Sequence, residues 1–303
     1  MPMDFDPTLA LGSFLVAIVV GLTGMGGGAL MTPMLVTFFG VSPLAAVSSD
    51  LVAAAVMKPV GSAVHYRRGT IDLRLVGWLC AGSVPAAFGG VLVARAMGDG
   101  DAVQHFISVA MGVALLLAAL GLVLRGVQAR RAGADDTGPP RPVTIRPVAT
   151  VAVGAVGGLV VGITSVGSGS LIIVALLALY PTLRANHLVG TDLLQAVPLV
   201  MAAALGHLLF GDFRLEVTAA LLVGSIPGVY LGSRISSVAP ADLIRRALVF
   251  VLIASALKML GLGVTPLAWT MLTIAAIAGT WTVIRRHRRS RAETPVPEPA
   301  ELR

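Results

Sequence analysis

Asp50, Lys58 and Asp192 each place a charge well inside a long apolar stretch. In hydrocarbon such a group is costly unless it faces a cavity or a partner, so each marks a candidate site for an ion or a proton. A structural ion pair is the competing reading. Asp50 and Lys58 stand eight residues apart, roughly 12 Å along one helix at about 1.5 Å per residue, too far to bridge directly within it. The lysine gives an anion a favourable field, and the two acids can gain and lose a proton. Gln195 follows Asp192 by three residues and so shares its helix face.

A second kind of chemistry lies in the glycines. Leu9 to Phe39 is a nearly uncharged apolar run interrupted at Gly24, Met25, Gly26, Gly27 and Gly28, and Val148 to Tyr180 repeats the arrangement around Gly167, Ser168, Gly169 and Ser170. Each run is longer than the roughly 20 residues that one crossing needs. Glycine there favours a break in the helix, which leaves two short pieces of the size expected for a re-entrant hairpin. A half-helix that begins at such a break aims backbone N–H groups and its positive dipole end at whatever lies beyond it, a ready site for an anion. Thr23 in the first run, and Thr164, Ser165, Ser168 and Ser170 in the second, add hydroxyl donors. The alternative is that the glycines only permit close helix packing.

These residues belong to a duplicated chain. Asp50, His65, Gly69, Gly82, Ser83, Pro85 and Gly90 recur as Asp192, His207, Gly211, Gly224, Ser225, Pro227 and Gly232, each 142 residues later. Gly21, Thr23, Gly26, Gly28 and Leu30 match Gly162, Thr164, Gly167, Gly169 and Leu171 at an offset of 141. The duplication is uneven at the charged positions, because Val200 stands where Lys58 would recur and Ala53 where Gln195 would.

Of the 303 residues 56% are hydrophobic and 12% charged, with a formal net charge of +7, and the mean hydropathy is +0.90. That balance describes a polytopic membrane protein rather than a soluble domain. The expected fold is all-α, with two inverted repeats that each comprise a re-entrant or broken helix and three transmembrane helices, and one extra C-terminal transmembrane helix. Continuous spans are expected near residues 43–65, 73–95, 103–124, 186–209, 216–233, 243–260 and 266–284. The corresponding parts are a first repeat over 1–129, a cytoplasmic linker over 130–147, a second repeat over 148–262, and the extra helix with a basic tail over 263–303. The start of the chain has no basic segment, so no cleavable signal is expected.

Loop charge favours hairpins. If both interrupted segments return to the side they entered from, Arg67, Arg68, Arg74, Arg125, Arg130, Arg131, Arg141, Arg146, Arg234, Arg245, Arg246 and the basic tail share one face, the cytoplasm, and Asp4, Asp6, Asp99 and Asp101 lie outside. An odd number of crossings per repeat then inverts the second copy. The positive charge is accounted for by this bias, and nucleic acid is not an expected partner. The single cysteine, Cys80, makes no internal disulfide, and no Cys or His cluster has metal-site spacing, so neither metal nor cofactor is expected.

Two motif matches are discounted. Gly24 to Ala29 imitates a dinucleotide fingerprint but follows no strand. Ser168 with His207 suggests an intramembrane serine hydrolase, yet the nucleophile pattern lacks a glycine two residues before Ser168 and no acid is placed to orient the histidine.

Gly21-Leu-Thr-Gly-Met-Gly-Gly-Gly28 with Pro33, Ala46-Val-Ser-Ser-Asp50-Leu, His65-Tyr-Arg-Arg-Gly69-Thr-Ile-Asp72 and Val189-Gly-Thr-Asp192-Leu-Leu together resemble the sulfite exporter TauE/SafE family of membrane permeases, over about residues 8–262. The resemblance implies a carrier of small anions, such as sulfite, sulfoacetate or another organosulfonate, in the bacterial inner membrane, and the charge bias puts the C-terminus in the cytoplasm. The expected binding set is Thr23, Gly24, Gly26, Gly27, Gly28, Lys58, Thr164, Ser165, Gly167, Ser168, Gly169, Ser170 and Gln195. The expected proton-coupling set is Asp50, Asp192, His65 and His207. The small anion and the lipid bilayer are the expected partners, and a homo-oligomer is compatible with the extra span. A non-transporting membrane sensor with its arginine-rich tail on lipid is a further alternative, weakened by the absence of a soluble signalling domain.

Overall fold

The structure, a computed structural model, describes residues 6–23, 27–67, 72–98, 100–131, 144–180, 185–235 and 241–273. Every regular element among them is helical: α1 (Pro7–Thr23), α2 (Gly28–Phe38), α3 (Pro43–Arg67), α4 (Leu73–Ala96), α5 (Asp101–Arg131), α6 (Pro147–Thr164), α7 (Leu171–Leu179), α8 (Ala185–Phe210), α9 (Leu215–Ile235) and α10 (Ala241–Met259). These ten form one unit that ends at Gly261. Residues 264–273 are helical in a second unit. Among the described residues Leu73–Ala96, Asp101–Leu124, Pro147–Thr164, Gly190–Phe210 and Leu215–Ile235 are long and apolar enough to cross a membrane. The protein is an all-α polytopic membrane protein.

Both interrupted segments fold back on themselves. A Cβ added to Gly12 of α1 would lie 3.0 Å from the Phe39 ring and 3.3 Å from the Met34 sulfur, beyond the far end and middle of α2, so α2 runs antiparallel beside α1. In the second copy a Cβ on Gly157 of α6 would meet Ile172 of α7 at 2.6 Å. There the Tyr180 hydroxyl accepts from the Arg146 N–H at 2.9 Å and pairs with Thr150 Oγ1 at 2.6 Å, tying the hairpin's two open ends together. Glycine makes the second turn possible, since Gly167 and Gly169 take φ of 135° and 97°, values that residues with a Cβ avoid. Every residue of α2 from Gly28 to Leu35 is buried, which meets the requirement that non-helical backbone at membrane depth be sheltered by protein.

Two glycine seams lock each hairpin to the opposite half of the chain. In α9, Gly224, Gly228 and Gly232 repeat every fourth residue, and a Cβ on each would lie 2.0, 2.5 and 2.1 Å from the carbonyl oxygens of Ala10, Phe14 and Ile18 in α1. Between α6 and α4 the same contact is made by Gly154, Gly158 and Gly162, whose added Cβ atoms would lie 2.4, 2.3 and 2.1 Å from the carbonyl oxygens of Leu79, Ser83 and Ala87. Spacing by four puts small residues in one line, and backbones then approach closely enough for dispersion to hold helices together where lipid offers no hydrophobic drive. In both seams residue numbers rise together, so α1 is parallel to α9 and α6 to α4.

Between the seams lie α3 and α8, the helices that carry the charged residues. They are antiparallel: Ser48 near the start of α3 touches His207 near the end of α8, and the Asp72 N–H just past α3 donates to Thr191 Oγ1 near the start of α8. Outward-facing leucines on α5 and α8, including Leu116, Leu117, Leu120, Leu205, Leu208 and Leu209, are exposed in the way a lipid-facing surface requires. Polar side chains close several helix starts. Asp72 Oδ1 accepts from the Arg74 and Leu75 amides of α4, and Gln104 Oε1 accepts from Leu44 of α3. At α1, Asp6 Oδ1 accepts from the Thr8 hydroxyl and the Thr8 and Leu9 amides, which holds that carboxyl below its ordinary range.

Candidate functional site

The tips of the two hairpins meet. Gly28, the first residue of α2, sits so close to the turn after α6 that an added Cβ would lie 2.0 Å from the Ser165 carbonyl oxygen. Ser165 itself holds a left-handed φ of 59°, unfavourable for a residue with a Cβ. From there its hydroxyl donates to Asp50 Oδ2 at 2.6 Å. Thr32, one turn into α2, donates to the same oxygen at 2.8 Å. A single carboxylate oxygen on α3 thus receives one hydroxyl from each hairpin. Asp50 is 0% exposed, and its other oxygen, Oδ1, has no hydrogen-bond partner.

Two turns further along α3, Lys58 Nζ donates to Ser168 Oγ in the second tip. Its ammonium is in electrostatic reach of Asp50 and of Asp192 on α8, and Asp192 is also fully buried. With all three ionised the cluster carries a net charge of −1. Such a centre can hold an oxyanion through the ammonium and serine hydroxyls, and can trade protons through its acids.

The other expected residues fall around this centre in different ways. Gln195 is buried on α8 and donates from Nε2 to Ser83 Oγ at 2.7 Å, while its Oε1 has no partner. Ser170 Oγ is buried without a partner. The turn from Gly167 winds directly into α7, so the amides of Ser170, Leu171 and Ile172 close on the Gly167 carbonyl. The tip therefore presents serine hydroxyls, where the sequence alone predicts open amides. Gly27 likewise accepts from the Leu30 and Met31 amides of α2. The hydroxyls of Thr23 and Thr164 donate back to their own helices, to Val19 and Val20 and to Val160. Gly24 and Gly26 lie outside the described residues, as does the side chain of His65 in α3.

His207 is fully buried with both ring nitrogens engaged: Nε2 faces the Gly162 carbonyl at 2.8 Å and Nδ1 the Ser48 hydroxyl at 2.8 Å. A carbonyl only accepts, so Nε2 carries the proton and, in the neutral ring, Nδ1 accepts from Ser48. Ser168 and His207 thus belong to separate hydrogen-bond groups.

Thr32, Ser48 and Ser83 are the polar residues at this centre that sequence reading missed. Ser83 carried a signal, since it recurs as Ser225, and Ser48 lies in the quoted Ala46–Leu51 motif, but Thr32 is a single hydroxyl in an apolar stretch with no pattern around it. The cradle on Asp50 is also unrepeated. At the duplication offset Thr32 and Ser165 correspond to Ile173 and Gly24, and Lys58 and Ser168 to Val200 and Gly27. Elsewhere, an apolar groove of about 250 Å³ between α5 and α6, lined by residues such as Ala110, Leu117 and Val160, offers no charged group. Among the described residues no three His, Cys, Asp or Glu side chains gather as a metal site.

A family profile described as sulfite exporter TauE/SafE matches residues 9–259. A relative from Bacillus subtilis (strain 168), "Probable membrane transporter protein YjnA", is 36% identical over 230 residues, 76% of this chain and 89% of the relative. Two more from the same organism, "Probable membrane transporter protein YdhB" and "Probable membrane transporter protein YunE", are 24% and 26% identical, cover 79% and 77% of this chain, and are themselves matched over 94% and 89% of their lengths. No solved structure matches the chain. The chain belongs to the sulfite exporter TauE/SafE family and is a membrane transporter.

Proposed function

We propose that this TauE/SafE-family chain is a secondary transporter that exports a small sulfur-containing anion, sulfite, sulfoacetate or another organosulfonate, across the bacterial inner membrane, with proton coupling. The observation that carries this reading is the meeting of two hairpin tips at a half-buried lysine flanked by serine hydroxyls and two buried carboxylates. Lys58 supplies the charge that attracts the anion, Ser168, Ser170 and the neighbouring glycines shape its seat, and Asp50 and Asp192 carry the proton. Alternating access is a relative movement of two inverted repeats about this seat. In support, the equivalent helices α3 and α8 run antiparallel, as do α5 and α10, where Gly112 lies beside Leu260 and Gly126 beside Arg245. The same directions gather the starts of α4, α6 and α10, with Arg74, Arg146, Arg245 and Arg246, at one end of the bundle, which supports a cytoplasmic assignment for that end. For the C-terminus the support is the arginine-rich composition of the tail.

Ion flux into proteoliposomes, compared for sulfite, sulfoacetate, taurine and sulfate, tests the assignment. Movement of an uncharged solute with none of these would overturn it. Lys58→Ala should weaken anion affinity by tenfold or more, since a charge-assisted contact of about 1.5–3 kcal/mol is lost; unchanged affinity removes Lys58 from the seat. The pairing of Ser168 with Lys58, and of His207 with Ser48 and Gly162, favours transport over a Ser168–His207 hydrolase. Fluorophosphonate labelling that disappears in Ser168→Ala would reverse that preference.

A further inference from the structure

The hydroxyls that join the two hairpins are spent on an internal carboxylate. Ser165 Oγ and Thr32 Oγ1, one from each hairpin, both donate to Asp50 Oδ2, while Oδ1 of the same fully buried side chain has no partner. This is the hydrogen-bond pattern an oxyanion would satisfy: two converging O–H donors with an ammonium, Lys58, on the same helix. The charged oxygen in the cradle belongs to the protein.

We propose that Asp50 is a built-in stand-in for the transported anion, holding the Ser165–Thr32 cradle in the empty state and leaving it, with one proton taken up on its carboxylate, when a substrate oxyanion enters. The inference rests on the anion reading above and adds to it which acid carries the proton and why. Without substrate the three ionised groups sum to −1. When a monovalent anion binds and Asp50 takes up one proton from water, the total is again −1, so the buried centre keeps a constant charge through the exchange. That matters at low dielectric, where an added uncompensated charge costs several kcal/mol. Ser165 and Thr32 pass their hydrogen bonds from Asp50 Oδ2 to the substrate oxygen, so neither hydroxyl loses its acceptor at either step.

The role falls to Asp50 because its cradle is single. The positions that correspond to Ser165 and Thr32 in the exchanged half are Gly24 and Ile173, which bear no hydroxyl. The groups that can influence this titration are few. α3 itself carries Lys58, with His65 and Arg67 at its far end, and α8 carries His187 at its start, then Asp192, and His207, whose ring is held between Ser48 and Gly162. α2 and the turn from Ser165 to Ser170 carry no titratable side chain, and Asp101 and His105 on α5 and Glu216 on α9 are exposed near the starts of their helices.

Methanesulfonate is the suitable probe, because its single charge does not change with pH. Wild-type protein in detergent should bind it about tenfold more tightly for each unit the pH falls, as linkage to one proton requires, and Asp50→Asn should bind it with no pH dependence. In weakly buffered solution containing an indicator dye, wild-type protein should take up about one proton per methanesulfonate bound. That second measurement stands even if Asp50→Asn does not fold. Binding without proton uptake, or a pH slope that survives in Asp50→Asn, overturns the inference and leaves the anion reading intact. If wild-type protein binds neither methanesulfonate nor sulfite at any pH, the anion reading itself falls.

Discussion

At the scale of single residues the most constrained side chain is His207. Three elements meet on it: α8 carries the ring, α6 presents the Gly162 carbonyl to Nε2, and α3 presents the Ser48 hydroxyl to Nδ1. In the neutral ring each nitrogen has the partner its protonation state demands, so a second proton would break the bond from Ser48. This geometry describes a pin between the two halves. Replacing His207 with leucine strands a buried carbonyl and a buried hydroxyl, at about 1–3 kcal/mol for each lost partner. His207→Leu should therefore lower the unfolding temperature of detergent-solubilised protein by several degrees. The pH profile of flux from whatever protein survives should keep its midpoint. A displaced midpoint with unchanged thermal stability would assign the ring to proton transfer instead.

At the scale of elements the glycines divide into two populations, and only one was legible in sequence. The interruptions after Thr23 and after Thr164 announced themselves, because glycine clusters inside apolar runs too long for one crossing leave few alternatives to a break. The seams were harder to see. Gly154, Gly158 and Gly162, and Gly224, Gly228 and Gly232, have the spacing of helix-packing motifs, but sequence does not say which helix lies opposite, and the partners proved to be α4 and α1 from the other half. The roles of Thr32, in the cradle, and of Ser48, on His207, were invisible for a related reason. A hydroxyl in a membrane helix gains meaning only from its partner, and Ser48 finds His207 159 residues away. The seams yield a clean contrast. Gly158→Ala drives a Cβ to 2.3 Å from the Ser83 carbonyl oxygen, whereas Gly89 in the same pair of helices has nothing within 4 Å. Overpacking typically costs about 1–3 kcal/mol, while alanine in an open helical position is worth up to about 1 kcal/mol over glycine. Gly158→Ala should lower the unfolding temperature and Gly89→Ala should leave it level or raise it; equal effects would mean that the seam is not tightly closed.

At the scale of the whole molecule the hairpins decide the topology. Because α1 and α2 form a hairpin, the start of α1 and the start of α3 share an end of the bundle, and α4 returns the chain to that end before α5 begins. Thr8 and Asp101 should thus face one side of the membrane, with Arg74 and Arg146, at the starts of the parallel helices α4 and α6, facing the other. A complete crossing by the first interrupted segment would instead place Thr8 opposite Asp101. The chain lends itself to the measurement, since Cys80 is its single cysteine and Cys80→Ala gives a background without thiols. In that background, Thr8→Cys and Asp101→Cys should react with a membrane-impermeant maleimide added to intact cells. Arg74→Cys and Arg146→Cys should react only after the cells are opened. If Thr8→Cys and Asp101→Cys label from opposite sides, the first segment spans the bilayer and the two tips no longer approach the central acids from opposite faces. The shared seat at Asp50 and Lys58 would then lose its basis.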